Sequence, residues 1–251
     1  MKQAVITVKG GEASRHRVNP FLFGHFVEDI RDHMEAMLAF PLKDMDFESA
    51  AAGKPEVSGA WTAYTNGKNT AYALEPPAPR HSGHAQRIRI FSDDEADAGI
   101  AQRAALKGPV GYQATIVARA SVELRYLLVE IVDRRTEELL SRARVDLVSH
   151  NWRRYEARLE MPRACADAEF RIYVPADHPR WNDHVSTGML WLDHVSLLPE
   201  DHVGFVKREV FEMARQLNAG MMRYSGNYIS AYHWEHGVGP VLERPVMYNE
   251  A

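Results

Sequence analysis

Arg223, Asn227, His233 and Trp234 fall within a dozen residues of one another, in the run Met222-Arg223-Tyr224-Ser225-Gly226-Asn227-Tyr228-Ile229-Ser230-Ala231-Tyr232-His233-Trp234-Glu235. A guanidinium supplies charge-assisted donors, an amide both donates and accepts, and an indole offers a flat apolar face. That combination suits a polyhydroxylated ring, whose hydroxyls need paired donors and acceptors while its carbon face needs an apolar surface. An ordinary polar loop contains the same residue types, so chemistry alone leaves both readings open.

The elements that would position this set are legible around it. Met221-Met222-Arg223-Tyr224 reads as a buried strand, which puts the polar residues at a strand end. Before it, Val206, Val210, Met213 and Leu217 recur at helical spacing, with Asp201 as N-cap and Gly220 as stop, which predicts an amphipathic helix over 203–218. Near the N-terminus, residues 4–8 read as a strand, Gly10-Gly11 as a turn, and 21–27 as an apolar strand of the kind buried in a parallel barrel.

Between these pieces the pattern is that of an all-β sandwich, from about 39 to 198. Tyr155, Ala157, Leu159 and Met161 alternate with the charged Arg154, Glu156, Arg158 and Glu160, which gives one wet and one dry face. Phe170, Ile172 and Val174 repeat the pattern, as do Tyr112, Ala114, Ile116 and Ala118, and 126–132 reads as a more central strand. Residues 57–84 are rich in Gly, Pro, Asn, Ser and Thr and read as loops.

Two ordered motifs resemble family-51 glycoside hydrolases, the α-L-arabinofuranosidases. Asn19-Pro20-Phe21-Leu22-Phe23-Gly24-His25-Phe26-Val27-Glu28-Asp29-Ile30 is similar to their first barrel strand. Arg223 to Asn227, followed by Tyr232-His233-Trp234-Glu235-His236-Gly237-Val238-Gly239-Pro240, is similar to their second strand and its loop. The resemblance implies a (β/α)8 TIM barrel, present here as its first two strands and first helix, interrupted by a jelly-roll β-sandwich: an α/β plus all-β chain. It divides the chain into 1–38, 39–199 and 200–251. It implies that Glu28 hydrogen-bonds sugar hydroxyls, that Arg223 and Asn227 orient the sugar, and that Trp234 shapes the pocket wall. Here Ser225-Gly226 replaces the family's Pro-Gly-Gly, which brings Arg223 and Asn227 closer by one residue and puts the aim of the amide in question.

The inserted segment in turn resembles carbohydrate-binding modules of families 4 and 9, through Asp44-Met45-Asp46-Phe47-Glu48, Trp152-Arg153-Arg154-Tyr155-Glu156 and Trp191-Leu192-Asp193-His194-Val195-Ser196-Leu197. That resemblance implies a structural calcium mapping to Glu48 and Asp193, although two carboxylates do not by themselves make a calcium shell. Stacking platforms for sugar rings are expected among Trp61, Tyr64, Tyr72 and Trp181; the competing reading is that Trp152, Trp191 and some of these four fill the core.

Retaining hydrolysis needs two carboxyl groups about 5–5.5 Å apart. The resemblance places both on later barrel strands, so no catalytic residue is assigned and the 251-residue chain is expected to be inactive alone. Asn249-Glu250 imitates the family's acid/base dipeptide, but no apolar strand precedes it. The activity implied is removal of terminal α-L-arabinofuranosyl residues from an arabinose-containing glycan, without a catalytic cofactor, in relatives that assemble as homo-oligomers. The alternative is a non-catalytic carbohydrate-binding protein acting through the sandwich.

Composition excludes several other classes. A net charge of -4 gives no electrostatic reason to expect nucleic acid or an anionic membrane. No stretch approaches the roughly 18 apolar residues of a membrane span, and residues 1–8 lack the pattern of a secretory leader. A lone Cys165 fits a reducing compartment, and the cytoplasm is the expected location. His81-Ser82-Gly83-His84 has no third ligand and reads as a polar loop, and neither a Gly-x-Ser-x-Gly elbow nor a phosphate loop is present.

Overall fold

The computed structural model describes residues 4–11, 16–27, 33–49, 56–67, 69–76, 83–91, 96–121, 124–147, 150–178, 187–224, 233–240 and 244. Two five-stranded antiparallel sheets carry most of them. The first runs in the order β2 (Thr62–Thr65), β5 (Ala98–Leu106), β10 (Cys165–Val174), β7 (Tyr126–Asp133) and β8 (Glu138–Asp146). The second runs β3 (Ala71–Glu75), β4 (Ala85–Phe91), β11 (Thr187–Pro199), β6 (Val110–Ala120) and β9 (Arg153–Met161). A separate parallel pair joins β1 (Gly24–Val27) to β12 (Met221–Tyr224). Two helices accompany them, α1 (His33–Met37) and α2 (Arg208–Gln216). This is an unclosed α/β element interrupted by an all-β sandwich.

The alternation read from the sequence fixes which side chains enter the sandwich. Ala157, Leu159 and Met161 of β9, Tyr112, Ala114, Ile116 and Ala118 of β6, and Phe170, Ile172 and Val174 of β10 are all buried in one continuous core. Each such large side chain contributes about 1.5–3 kcal/mol on leaving water. Phe47 and Trp61 add to that core, their ring centroids 5.6 Å apart, and Trp61 meets Phe170 edge-on at 6.3 Å.

The segment 57–84 is not all loop. It contains β2 and β3, the edge strands of the two sheets, which the high content of turn residues disguised. The expected strand over 4–8 is not formed: Val5, Ile6 and Val8 are each at least 85% exposed. The apolar run 21–27 shortens to β1, because Asn19 caps a turn through Phe21 N–H to its Oδ1 (2.8 Å) and Leu22 N–H to its carbonyl (2.9 Å).

α2 starts at Arg208, five residues later than expected, and Asp201 is not its cap. Residues 203–206 first close a tight turn, with Val203 and Val206 exchanging N–H···O bonds of 2.9 and 3.0 Å and both Gly204 and Phe205 left-handed. Asp201 instead accepts Lys107 Nζ at 2.7 Å and offers its carbonyl to Arg208 Nε at 2.9 Å. At the same place the incoming chain meets the outgoing one. Leu38 bridges Val206, Ala39 N–H donates to Phe205 O (2.8 Å), Lys207 N–H donates to Met37 O (2.9 Å), and Phe40 stacks on Phe205 at 5.6 Å.

Candidate functional site

Parallel pairing of β1 with β12 sets Phe26 beside Arg223. The guanidinium carbon stands 5.0 Å from the Phe26 ring centroid, a cation–π contact that holds the charge against the strand surface. Strand periodicity puts His25 and Val27 on the other side, and both are more covered than Phe26. Trp234 opens a 3-10 turn, Trp234–Gly237, and is 65% exposed. Its neighbours His233 and His236 lie with ring centroids 5.6 Å apart. Arg244 donates from Nε and Nη2 to the carbonyl of Gly239 at 3.1 and 2.9 Å. Of the four expected sugar-contacting residues, Arg223 and Trp234 are therefore in view; Glu28 and Asn227, with Ser225-Gly226, lie outside the described residues.

A second constellation stands on the outward face of the first sheet. The register aligns Tyr64, Gly99, Tyr173, Leu128 and Arg144 in one cross-strand row, and Thr62, Ala101, Arg171, Glu130 and Arg142 in the next. Gly99 leaves room between the two tyrosines, whose rings meet edge-on at 5.0 Å. Glu130 is only 3% exposed although it points away from the core. Its carboxylate accepts Tyr173 O–H at 2.8 Å and Arg142 Nε–H at 2.5 Å, which compensates its desolvation. Burial, then the bond to Glu130, push the Tyr173 phenol well above its usual range, and burial raises Tyr64. Both phenols thus stay neutral donors at any physiological pH. Arg171 lies 4.8 Å over the Tyr64 ring and pairs with Glu169 at 2.7 Å. Tyr173, 5% exposed, and Glu130 lie beneath this surface, so the half-buried Tyr64 is the ring it presents, and an aromatic edge beside paired polar groups can meet a neutral sugar. Glu130, Arg171 and Tyr173 were not singled out from sequence, yet a lone carboxylate inside the apolar strand Tyr126–Asp133 was the available signal.

The expected platforms separate. Trp61 is 4% exposed, in the core, with its indole N–H on Asp44 O at 2.9 Å, and cannot stack on a ligand. Tyr72 packs against the core and donates its O–H to Gly99 O at 2.9 Å. Of the three described, Tyr64 stands on an outward face; Trp181 is outside the described residues. Trp152 and Trp191, which the competing reading put in the core, are instead half-buried on the outward face of the second sheet.

Glu48 and Asp193, the expected calcium ligands, are both described. Glu48 accepts the backbone N–H of His84 at 3.0 Å and faces its Nδ1 at 3.2 Å. Asp193 occupies the bulge in β11 between Leu192 and His194. No group of three or more His, Cys, Asp or Glu side chains converges among the described residues.

No protein-family profile matches the chain. Over 46 residues it is 48% identical to the intracellular exo-α-(1→5)-L-arabinofuranosidase of Acetivibrio thermocellus, 18% of this chain and 9% of that protein. The exo-α-(1→6)-L-arabinofuranosidase of Bifidobacterium longum gives the same identity over the same length and shares of the two chains. The arabinose-bound structure of the α-L-arabinofuranosidase MgGH51 superposes on 93% of this chain and 40% of its own, with a TM-score of 0.75 and 16% identity. The chain has an arabinofuranosidase-like fold. It spans well under half of that solved enzyme, and the matched segment is less than a tenth of each curated relative. No described helix is long and apolar enough to cross a membrane.

Proposed function

We infer that this chain is the sugar-orienting front part of a retaining hydrolase of terminal α-L-arabinofuranosyl residues, acting on an arabinose-containing glycan inside the cell. The observation that carries the reading is the parallel β1–β12 pair, which sets Arg223 on Phe26 across an inserted sandwich, in a chain that shares its fold with an arabinose-bound arabinofuranosidase. In this reading 1–38 and 200–251 supply barrel elements and 39–199 the sandwich. Arg223 orients sugar hydroxyls through charge-assisted bonds, with Glu28 and Asn227 as its partners and Trp234 as pocket wall. The two carboxyl groups of the retaining mechanism are not assigned within 1–251, so this chain binds and positions rather than cleaves.

The test is release of 4-nitrophenol from its α-L-arabinofuranoside. The 251-residue chain alone is expected to release no more than a mock purification. The polypeptide as its gene encodes it is expected to hydrolyse with retention, and Arg223→Ala to lower kcat/KM about 100-fold, the scale of a lost positioning contact. Unchanged kcat/KM in that variant, or hydrolysis by residues 1–251 alone that Glu28→Gln abolishes, sinks this reading.

A second reading, glycan binding by the sandwich without catalysis, is favoured by the outward face of the first sheet, where the half-buried Tyr64 stands over Tyr173 and over a buried carboxylate, Glu130, bonded to Tyr173 and Arg142. A glycan-dependent rise in Tm that Tyr64→Ala removes supports it.

A further inference from the structure

We propose that the outward face of the second sheet is a binding surface for an acidic glycan, one that carries uronate carboxylates. The inference rests on the carbohydrate-active reading above and adds a ligand class and a place. Core residues Ile88, Ile90, Leu190, Leu192 and Ala118 point inward, so strand alternation turns Arg87, Arg89, Trp191 and Arg119 outward. Arg119 sits between two indoles, its guanidinium carbon 4.3 Å from the Trp191 ring centroid and 5.2 Å from that of Trp152. Next to it Arg87 pairs with Glu75, which also accepts the Trp191 indole N–H at 3.1 Å. Arg89 lies 4.8 Å over Phe91.

Charge is what distinguishes this end of the face. Among the described residues Arg87 pairs with Glu75, and no ion pair is formed by Arg89 or Arg119, in a chain whose net charge is negative. Farther along the same face the arginines are neutralised, Arg154 by Glu156 at 2.7 Å and Arg158 by Glu160 at 2.9 Å and Glu200 at 2.8 Å. The cation excess is therefore confined to the tryptophan end. A guanidinium stacked between rings has lost its rotamer freedom beforehand and keeps its outer N–H groups for a planar bidentate acceptor, which a carboxylate supplies. Indole surface beside it suits the apolar face of a sugar ring. Half-buried tryptophans on a sheet face otherwise covered by ion pairs leave indole surface open to a ligand there.

The test is affinity electrophoresis of the 251-residue chain in gels containing glucuronic-acid-substituted xylan, the same xylan after carboxyl reduction, or neutral arabinan. Retardation by the acidic xylan is expected to weaken about tenfold on carboxyl reduction, on raising salt, and in Arg119→Gln and Arg89→Gln, with the exposed Arg103→Gln on the other sheet unchanged. Arg89 is exposed, so its variant keeps the test valid if Arg119→Gln lowers Tm. Equal retardation by the reduced and acidic xylans overturns the proposal while leaving sugar binding by the sandwich intact. So does equal affinity for single-stranded DNA, which would show a response to anions in general. Failure to bind any of the three glycans overturns it together with the carbohydrate reading of the sandwich.

Discussion

Tyr112 is among the largest fully buried side chains, yet its oxygen accepts the Lys107 N–H at 2.9 Å and its hydroxyl donates to the Lys107 carbonyl at 3.3 Å. Burial pushes the phenol up to about 12, against an unfolded value of about 10. A raised folded value means that the stabilisation is complete below about pH 10 and is lost as pH rises through about 12. Urea unfolding across that window is expected to show the decline, and Tyr112→Phe to remove this part of it while costing about 1–2 kcal/mol at neutral pH, where the Lys107 N–H loses its acceptor. An alkaline limb identical in the two proteins argues against the assignment. At this scale the sequence was readable where chemistry and position coincide. The strand that carries Arg223 is legible because an apolar run and a polar set are adjacent there. For Trp61 the sequence leaves platform and core both open, because its Gly- and Ser-rich neighbours hide that Asp44 offers an inward carbonyl to its indole, and Glu130 does not stand out because its ring and guanidinium partners come from β10 and β8.

Among elements, the long central strands were legible and the edges were not. β6, β9 and β10 carry clean alternation because one face is core and the other water. β2 and β3 are short and border turns, so composition outweighs periodicity there. The start of α2 escaped because helical spacing continues back through Val206, whereas the backbone spends 203–206 on a turn that ties Leu38 to Val206. Sheet closeness makes its own prediction at Gly99. A methyl group there would approach Ile172 O to 2.0 Å, backbone rather than a flexible side chain. Gly99→Ala is expected to separate β5 from β10 and cost about 3 kcal/mol, at the upper end of ordinary overpacking. Denaturant midpoints check this, and a change below about 0.5 kcal/mol would mean the strands part without difficulty.

In the whole molecule, the sandwich is self-contained and the barrel elements are not. Phe26, Met222, Tyr224, Met213, Leu217 and Trp234 are between 52 and 68% exposed, and α2 buries none of its residues despite its amphipathic pattern. Exposed apolar surface beside a two-stranded open sheet invites association. The 251-residue chain is expected to self-associate with rising concentration on sedimentation and to bind a hydrophobic dye. Met222→Lys together with Leu217→Lys should reduce both without shifting the sandwich's unfolding. A monodisperse monomer that ignores the dye would show that this surface is covered after all.

The contact between Leu38 and Val206 bears on how such a chain folds. Seen from β1 and α2, the sandwich begins and ends at one point, because the incoming and outgoing strands touch. A flexible segment of that length would cost entropy to close, growing with the logarithm of its length. Here the sandwich's own folding absorbs that cost, so β1 and β12 meet as if joined by a short connector. Their pairing is therefore favoured once the sandwich has brought its two ends together, and damage to its core, far from Arg223, is expected to part β1 from β12.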